Sequence, residues 1–255
     1  VQIQQADIIG DLSQAYEFAT VAEMTASSIV FPVGKKLNTI VNNTTSNAGG
    51  ASYVVSSTAV ADGYGNHALG GGNVAELVEG ATATQYGAIE GVDSTDSIKT
   101  YLNRVFNNEF EGVIDGLFQV SEKIDIPFSQ FWKIKGKSRK YGLVQLTDNI
   151  PLFDFMFDNT HSWEFSNMYM GHSNAQTGNT DALCIKYSSQ TGGGSGQYNA
   201  TIRRITFDNS YLFAGVTKEH TNPAWGIEYD DIVGGANVTG GFIDLVSSPV
   251  IGMPN

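Results

Sequence analysis

Apolar and polar positions follow two different rhythms along this chain, and the change falls near residue 107. Just before it, Ile98, Tyr101, Leu102, Val105 and Phe106 recur at three- and four-residue steps, which predicts an amphipathic helix over 98–106. Asp93, Ser94 and Asp96 precede or open it, where side-chain oxygens can accept from unpaired amide groups and complement the helix dipole. Gln85-Tyr86-Gly87-Ala88-Ile89, ahead of that acidic turn, reads as a short strand. Further upstream, Thr20-Val-Ala-Glu23 has the capping-box form and predicts a short helix over 21–27. A polar loop over 42–50 then leads into an alternating strand over 51–55.

After residue 107 helical periodicity disappears. Short apolar runs separated by polar and glycine-rich turns take over, at 112–120, 131–134, 143–146, 152–157, 163–170, 183–187, 202–207, 211–216, 225–229 and 242–246. So many short strands fit a sandwich, a barrel or a solenoid. Internal comparison favours the solenoid. FWKIKG at 131–136, WEFSNM at 163–168 and TIRRITF at 201–207 read as one strand-and-bend unit, recurring within the repeat length of solenoids, about 20 to 45 residues. Segments 142–146, 152–157 and 182–186 supply second and third strands between them. Each coil then needs a neighbour to bury its inward face, with helix 98–106 covering the first. No capping pattern follows 242–246, so the solenoid is expected to continue past Asn255 or to be covered by another chain.

Composition agrees with strands and narrows the chemistry. Charged residues are 16%, too few for long solvated helices, while aromatics at 11% and 29 glycines suit strands and turns. A net charge of −12 argues against nucleic acid as a partner. The basic cluster Lys133, Lys135, Lys137, Arg139 and Lys140 alternates as the solvated outer face of a strand and its turn would. The single cysteine, Cys184, excludes an internal disulfide and reads as an inert core thiol. No apolar run has the length of a membrane span and no signal peptide is visible, so membrane insertion is not expected. His67 has no second ligand at metal spacing and reads as a turn histidine. The triplets at 70–72 and 192–194 lack the residues of a phosphate loop and read as turns. Neither a metal nor a cofactor is expected.

Several dispersed motifs, in order over roughly the first hundred residues, carry a resemblance. DLSQAYEFATVAEMTASSIVFPVGKKLNT, a loop, GGASYVV, then ADGYGNHALGGGNVAELV at 61–78 resemble the small module that precedes the β-helix in phage tailspikes. YGA followed by EGVDSTD and a helix resembles the start of their right-handed, pectate-lyase-like β-helix, although the family turn is usually richer in Gly and Asp. The expected fold is therefore mainly β: a right-handed parallel β-helix (solenoid) preceded by a small α+β connector module and a capping helix. The expected division is a connector or neck module over 1–84, a leading strand and capping helix over 85–107, and the first coils over 108–255.

The resemblance implies a homotrimer at the virion tail, made in the host cytoplasm and joined to other tail or baseplate proteins. It also implies that bacterial surface polysaccharide (capsule, exopolysaccharide or O-antigen) is bound during host adsorption, and in many relatives depolymerised by a hydrolase or lyase. A non-catalytic receptor-binding or structural tail fibre of the same fold is the alternative, and a free pectin-lyase-like enzyme a third. Sugar rings present an apolar face and a hydroxyl rim, so binding needs aromatics beside carboxylates or amides. The residues that fit are Trp163, Tyr169 and Asp158, and a second set of Trp225, Glu228 and Asp230. Trp163 and Glu164 must point to opposite faces of an alternating strand, so one of them is internal. No motif identifies a catalytic residue.

Overall fold

The structure is a computed structural model that describes residues 14–78, 80–156, 160–188, 198–216 and 225–244. The chain parts into two compact units, residues 1–89 and 90–255.

The first unit is built on one mixed sheet. β1 (Tyr16–Phe18) leads to a short helix α1 (Val21–Thr25), then β2 (Lys36–Asn43), β3 (Ala48–Ser56), β4 (His67–Ala68) and β5 (Val74–Leu77), in the spatial order β1-β2-β3-β5-β4. The capping box forms as the sequence predicts. Thr20 Oγ1 accepts from Glu23 N at 3.1 Å, and Glu23 Oε2 reaches back to Ala19 N at 2.7 Å. Met24, Phe31, Leu37, Tyr53 and Tyr86 close the core of this unit. Two expectations change. His67 is not on a turn but buried in β4, edge-on to Tyr53 at 5.7 Å, and burial lowers its pKa. The segment expected as a leading strand is a 3-10 turn, Ala83–Tyr86, because Thr82 and Gln85 make a second capping box and Gly87 ends it at φ 81°.

The second unit begins with α2 (Thr95–Asn108), which buries Ile98, Tyr101, Leu102, Val105 and Phe106. Asp93 rather than Ser94 secures its start: the Asp93 carboxylate accepts from Thr95 N at 3.1 Å and from the Thr95 hydroxyl. Five coils follow. The first is β6 (Glu111–Ile114), β7 (Leu117–Val120) and β8 (Ile124–Ile126); the second is β9 (Lys133–Gly136), β10 (Gly142–Gln145) and β11 (Phe153–Phe155). The third is β12 (Glu164–Ser166), β13 (Tyr169–His172) and β14 (Leu183–Tyr187). In the fourth, β15 (Tyr198–Asp208) is long enough to serve two faces before β16 (Leu212–Val216), and in the fifth β17 (Trp225–Gly234) does the same before β18 (Gly241–Asp244).

All pairing between coils is parallel and in register. One column runs Glu111, Lys133, Glu164, Thr201, Glu228 on the first face, and others run Phe118, Leu143, Met170, Phe207 and Ile124, Phe153, Ile185 on the second and third. The repeated unit read at 131–136, 163–168 and 201–207 is therefore the first face of successive coils. The run at 112–120 is two strands around a bend, and β8, only three residues long, gave no separate signal.

Inside, rings stack along the axis. Trp132 and Trp163 lie 5.5 Å apart and 10° from parallel, Phe155 lies 4.6 Å from Trp163, and Phe106 of α2 meets Trp132 edge-on at 4.9 Å. The helix thus extends the core over the first coil. Gly112 permits this: a Cβ there would come within 2.6 Å of the Tyr101 hydroxyl and of Val105. Gly142 is needed for coil stacking, since a Cβ would fall 1.8 Å from the Tyr169 carbonyl oxygen. Cys184 is buried beside Ser210, and burial pushes its thiol up to about 12, which fits the inert core thiol expected of it.

Candidate carbohydrate-binding face

The first face of the coils is where side chains of opposite character are set side by side on the outside of the solenoid. Alternation in β9, β12 and β15 sends Ile134, Phe165 and Ile202 inward and leaves Lys133, Lys135, Glu164 and Arg203 outward. Parallel register places the outward residues in two neighbouring columns, Glu111–Lys133–Glu164–Thr201–Glu228 and Val113–Lys135–Ser166–Arg203–Asp230.

Glu164 is the fixed point of this surface. Its Oε1 accepts from Arg203 Nε at 3.0 Å and Nη2 at 2.9 Å, and Lys133 Nζ stands 3.8 Å from Oε2. Burial opposes its charge, but the Ser166 hydroxyl, the Arg203 guanidinium and Lys133 together hold the carboxyl below its usual range. It is an ionised, clamped acceptor rather than a proton donor. Lys135 pairs with Glu111, and Arg139 reaches from the β9–β10 connection to Asp231, also donating to its carbonyl at 3.1 Å.

The edge of the face carries rings. Gln130, His161 and Tyr198 form a backbone ladder just before the strands, and Trp225 continues it in register with Tyr198. His161 and Tyr198 stack at 4.7 Å and 25°, and Phe131 lies edge-on to His161 at 5.7 Å. The next residue of each coil takes positive φ: Phe131 58°, Ser162 57°, Asn199 51° and Gly226 61°. This repeated left-handed step turns the chain from the outer ladder into the core, where Trp132 and Trp163 begin the inward pattern. Ser, Asn and Gly meet that step at low cost. Phe131 does not, and its ring is 57% exposed.

The residues singled out from sequence are dispersed by the fold. Glu228 and Asp230 stand exposed on the fifth strand of the first face, in the same columns as Glu164 and Arg203. Trp225 opens that strand. Tyr169 belongs to the neighbouring second face, half-buried, with burial pushing its phenol up to about 12. Trp163 is corrected: it is the internal member of the Trp163–Glu164 pair, 1% exposed, with no ring face left for a sugar. Asp158 lies outside the described residues. Sequence reasoning missed Phe131, His161, Tyr198 and Arg203. The available signal was an aromatic or turn-tolerant residue repeated at one step before each first-face strand, as in His161-Ser-Trp, Tyr198-Asn-Ala and Trp225-Gly-Ile. Among the described residues no group of three His, Cys, Asp or Glu is placed to hold a metal ion, and no helix is long and apolar enough to cross a membrane.

No protein-family model matches the sequence, and no curated protein matches it either. Solved structures do. Full-length tailspike protein 2 of an Escherichia coli O157:H7 bacteriophage is similar with a TM-score of 0.61 at 15% identity, over 84% of this chain and 31% of that one. The tailspike gp49 of Acinetobacter baumannii bacteriophage Fri1, a capsular polysaccharide depolymerase, is similar with a TM-score of 0.57 at 15% identity, over 92% of this chain and 50% of that one. Pantoea stewartii WceF, a glycan biofilm modifying enzyme with a tailspike-like parallel β-helix, gives 0.52 at 16% identity, over 92% and 42%. The chain thus spans half or less of the length of each. What it shares with them is the fold, a tailspike-type parallel β-helix.

Proposed function

We propose that this chain forms the connector and first coils of a bacteriophage tailspike. In this reading it is a homotrimer at the virion tail, joined to other tail or baseplate proteins, and it binds bacterial surface polysaccharide during host adsorption. The observation that carries the reading is the first face itself. Stacked His161 and Tyr198, with Phe131 exposed beside them at a strained backbone position, border two columns of outward residues in which carboxylates and cations pair between coils, on a tailspike-type scaffold. Ring edges and faces suit the apolar side of a pyranose, while Glu228, Asp230, Gln130 and Asn199 offer acceptors and donors for its hydroxyl rim.

Binding is better supported than cleavage within these coils. Acid-catalysed hydrolysis needs a carboxyl held protonated near neutral pH opposite an ionised partner. The Asp93 and Glu164 carboxyls are both held below their usual range, the opposite of what a general acid needs. Depolymerisation is the second reading, favoured by the likeness to a capsular polysaccharide depolymerase.

Incubating the purified protein with surface polysaccharides of adsorbing strains tests both. Retention on immobilised polysaccharide with a trimer mass in solution is expected. Shortened chains would add cleavage, by elimination where new ultraviolet absorbance accompanies them. Failure to bind every such polysaccharide would refute the proposal.

A further inference from the structure

The chain has 14 basic against 26 acidic residues, yet half of its basic residues gather on and beside the first face. Lys133, Lys135 and Arg203 stand on the strands themselves. Lys137, Arg139, Lys140 and Arg204 sit at or just past the bend that ends them.

Ion pairing sorts these cations into two groups. Lys133, Lys135, Arg139 and Arg203 are matched with Glu164, Glu111 and Asp231. Lys137, Lys140 and Arg204 are exposed and make no ion pair among the described residues. Arg204 falls opposite Asp231 in the β15–β17 register, but Arg139 has already reached that carboxylate from the second coil. The corner therefore presents three exposed cations without an ion pair among the described residues, in a protein whose net charge is −12.

The backbone adds an independent observation. Arg204 takes φ 54°, and Asn167 makes the same bend one coil earlier at φ 53°. Asn or Gly meets this left-handed bend with little strain, whereas Arg does not. An exposed cation at a strained position, with no ion pair among the described residues, points to a role outside the fold itself.

Resting on the reading of this face as a polysaccharide-binding surface, we propose that the polysaccharide is anionic, a chain bearing carboxylate sugars. Lys137 and Arg204 receive its carboxylates, and Phe131, at the opposite end of the strands, receives the apolar side of a ring. From 131 to 137 an extended strand spans roughly 20 Å, so one extended ligand crossing the face meets both ends. A nucleic acid would also offer rings and negative charge. Its phosphate at every unit is disfavoured by Glu228 and Asp230 on the same face, whereas the neutral sugars between uronates can donate hydroxyls to them.

The test uses one polysaccharide in two forms, native and with its carboxyl groups chemically reduced to alcohols, titrated against the full chain at two salt concentrations. Native material is expected to bind at least about tenfold more tightly than the reduced form, and to weaken as salt rises. Arg204→Asn, which relieves the strained bend, is expected to keep or raise the thermal unfolding temperature and to erase most of the difference; Lys137→Gln is expected to leave unfolding unchanged and to reduce the difference likewise. Equal affinity for both forms would overturn the anionic assignment while leaving polysaccharide binding intact. Binding to neither would overturn both readings, and preference for single-stranded DNA over the native polysaccharide would overturn the class of ligand.

Discussion

Replacing Trp163 separates core from surface on this solenoid. Its indole is 1% exposed, stacked 5.5 Å from Trp132 and 4.6 Å from Phe155, with Phe165 edge-on at 5.7 Å. Truncating a buried Trp to Ala costs about 3–5 kcal/mol. A partial offset exists, because the Trp163 indole N–H has no hydrogen-bond partner in its buried position, and removing an unsatisfied donor returns about 1 kcal/mol. The net expectation for Trp163→Ala is a loss of about 2–4 kcal/mol, or about 5–15 °C in Tm for a unit of this size. Trp163→Phe keeps a ring in the stack and deletes the unpartnered donor, so it is expected within about 1.5 kcal/mol of the parent. Thermal and urea unfolding followed by near-ultraviolet circular dichroism measure both, beside polysaccharide titration of the folded variants. Unchanged affinity in Trp163→Phe is expected. An unchanged Tm with lost binding in Trp163→Ala would show the ring on the surface and refute the internal stack.

Two further outcomes follow from the same geometry. Phe131→Gly relieves a left-handed backbone worth roughly 1–2 kcal/mol but adds chain entropy of roughly 0.5–1 kcal/mol and loses a ring contact, so stability is expected to change by less than about 1 kcal/mol. Affinity for polysaccharide is expected to fall about tenfold; full affinity would remove Phe131 from the site. His172, 1% exposed between Ser210 Oγ and the Ile150 carbonyl at 2.9 Å each, has its pKa lowered by burial against the opposing pull of Ile150 and Asp148. The unfolded chain therefore takes up this proton first, and stability present at neutral pH is lost as pH falls below 6.5 through the depressed value. Unfolding from pH 7 downward should show the loss, flattened in His172→Gln; identical profiles in the two proteins would refute it.

Local order was largely legible in the chain. The capping box at Thr20–Glu23, the amphipathic helix and the strand units at 131–136, 163–168 and 201–207 are properties of neighbouring residues, and short-range hydrogen bonding and alternation fix them wherever the segment lies. Alternation also required that one of Trp163 and Glu164 be internal. It could not say which, because both periods are equal until a core exists.

That choice was made by stacking. With parallel coils in register, Trp163 gains Trp132 and Phe155 as neighbours, while Glu164 gains Arg203 and Lys133 from the coils on either side. The outward surface of the first face is likewise a product of register. Glu164, Arg203, Glu228 and Asp230 are far apart in the chain and become neighbours only when successive coils align. The outer ladder of Gln130, His161 and Tyr198 exists for the same reason, and so does the pairing of Arg139 with Asp231, which leaves Arg204 without an ion pair among the described residues. Sequence alone determined most of the segments that become strands and their alternating pattern. Only the tertiary structure decided which outward side chains meet, since that follows from coil length and loop geometry that a degenerate repeat leaves free.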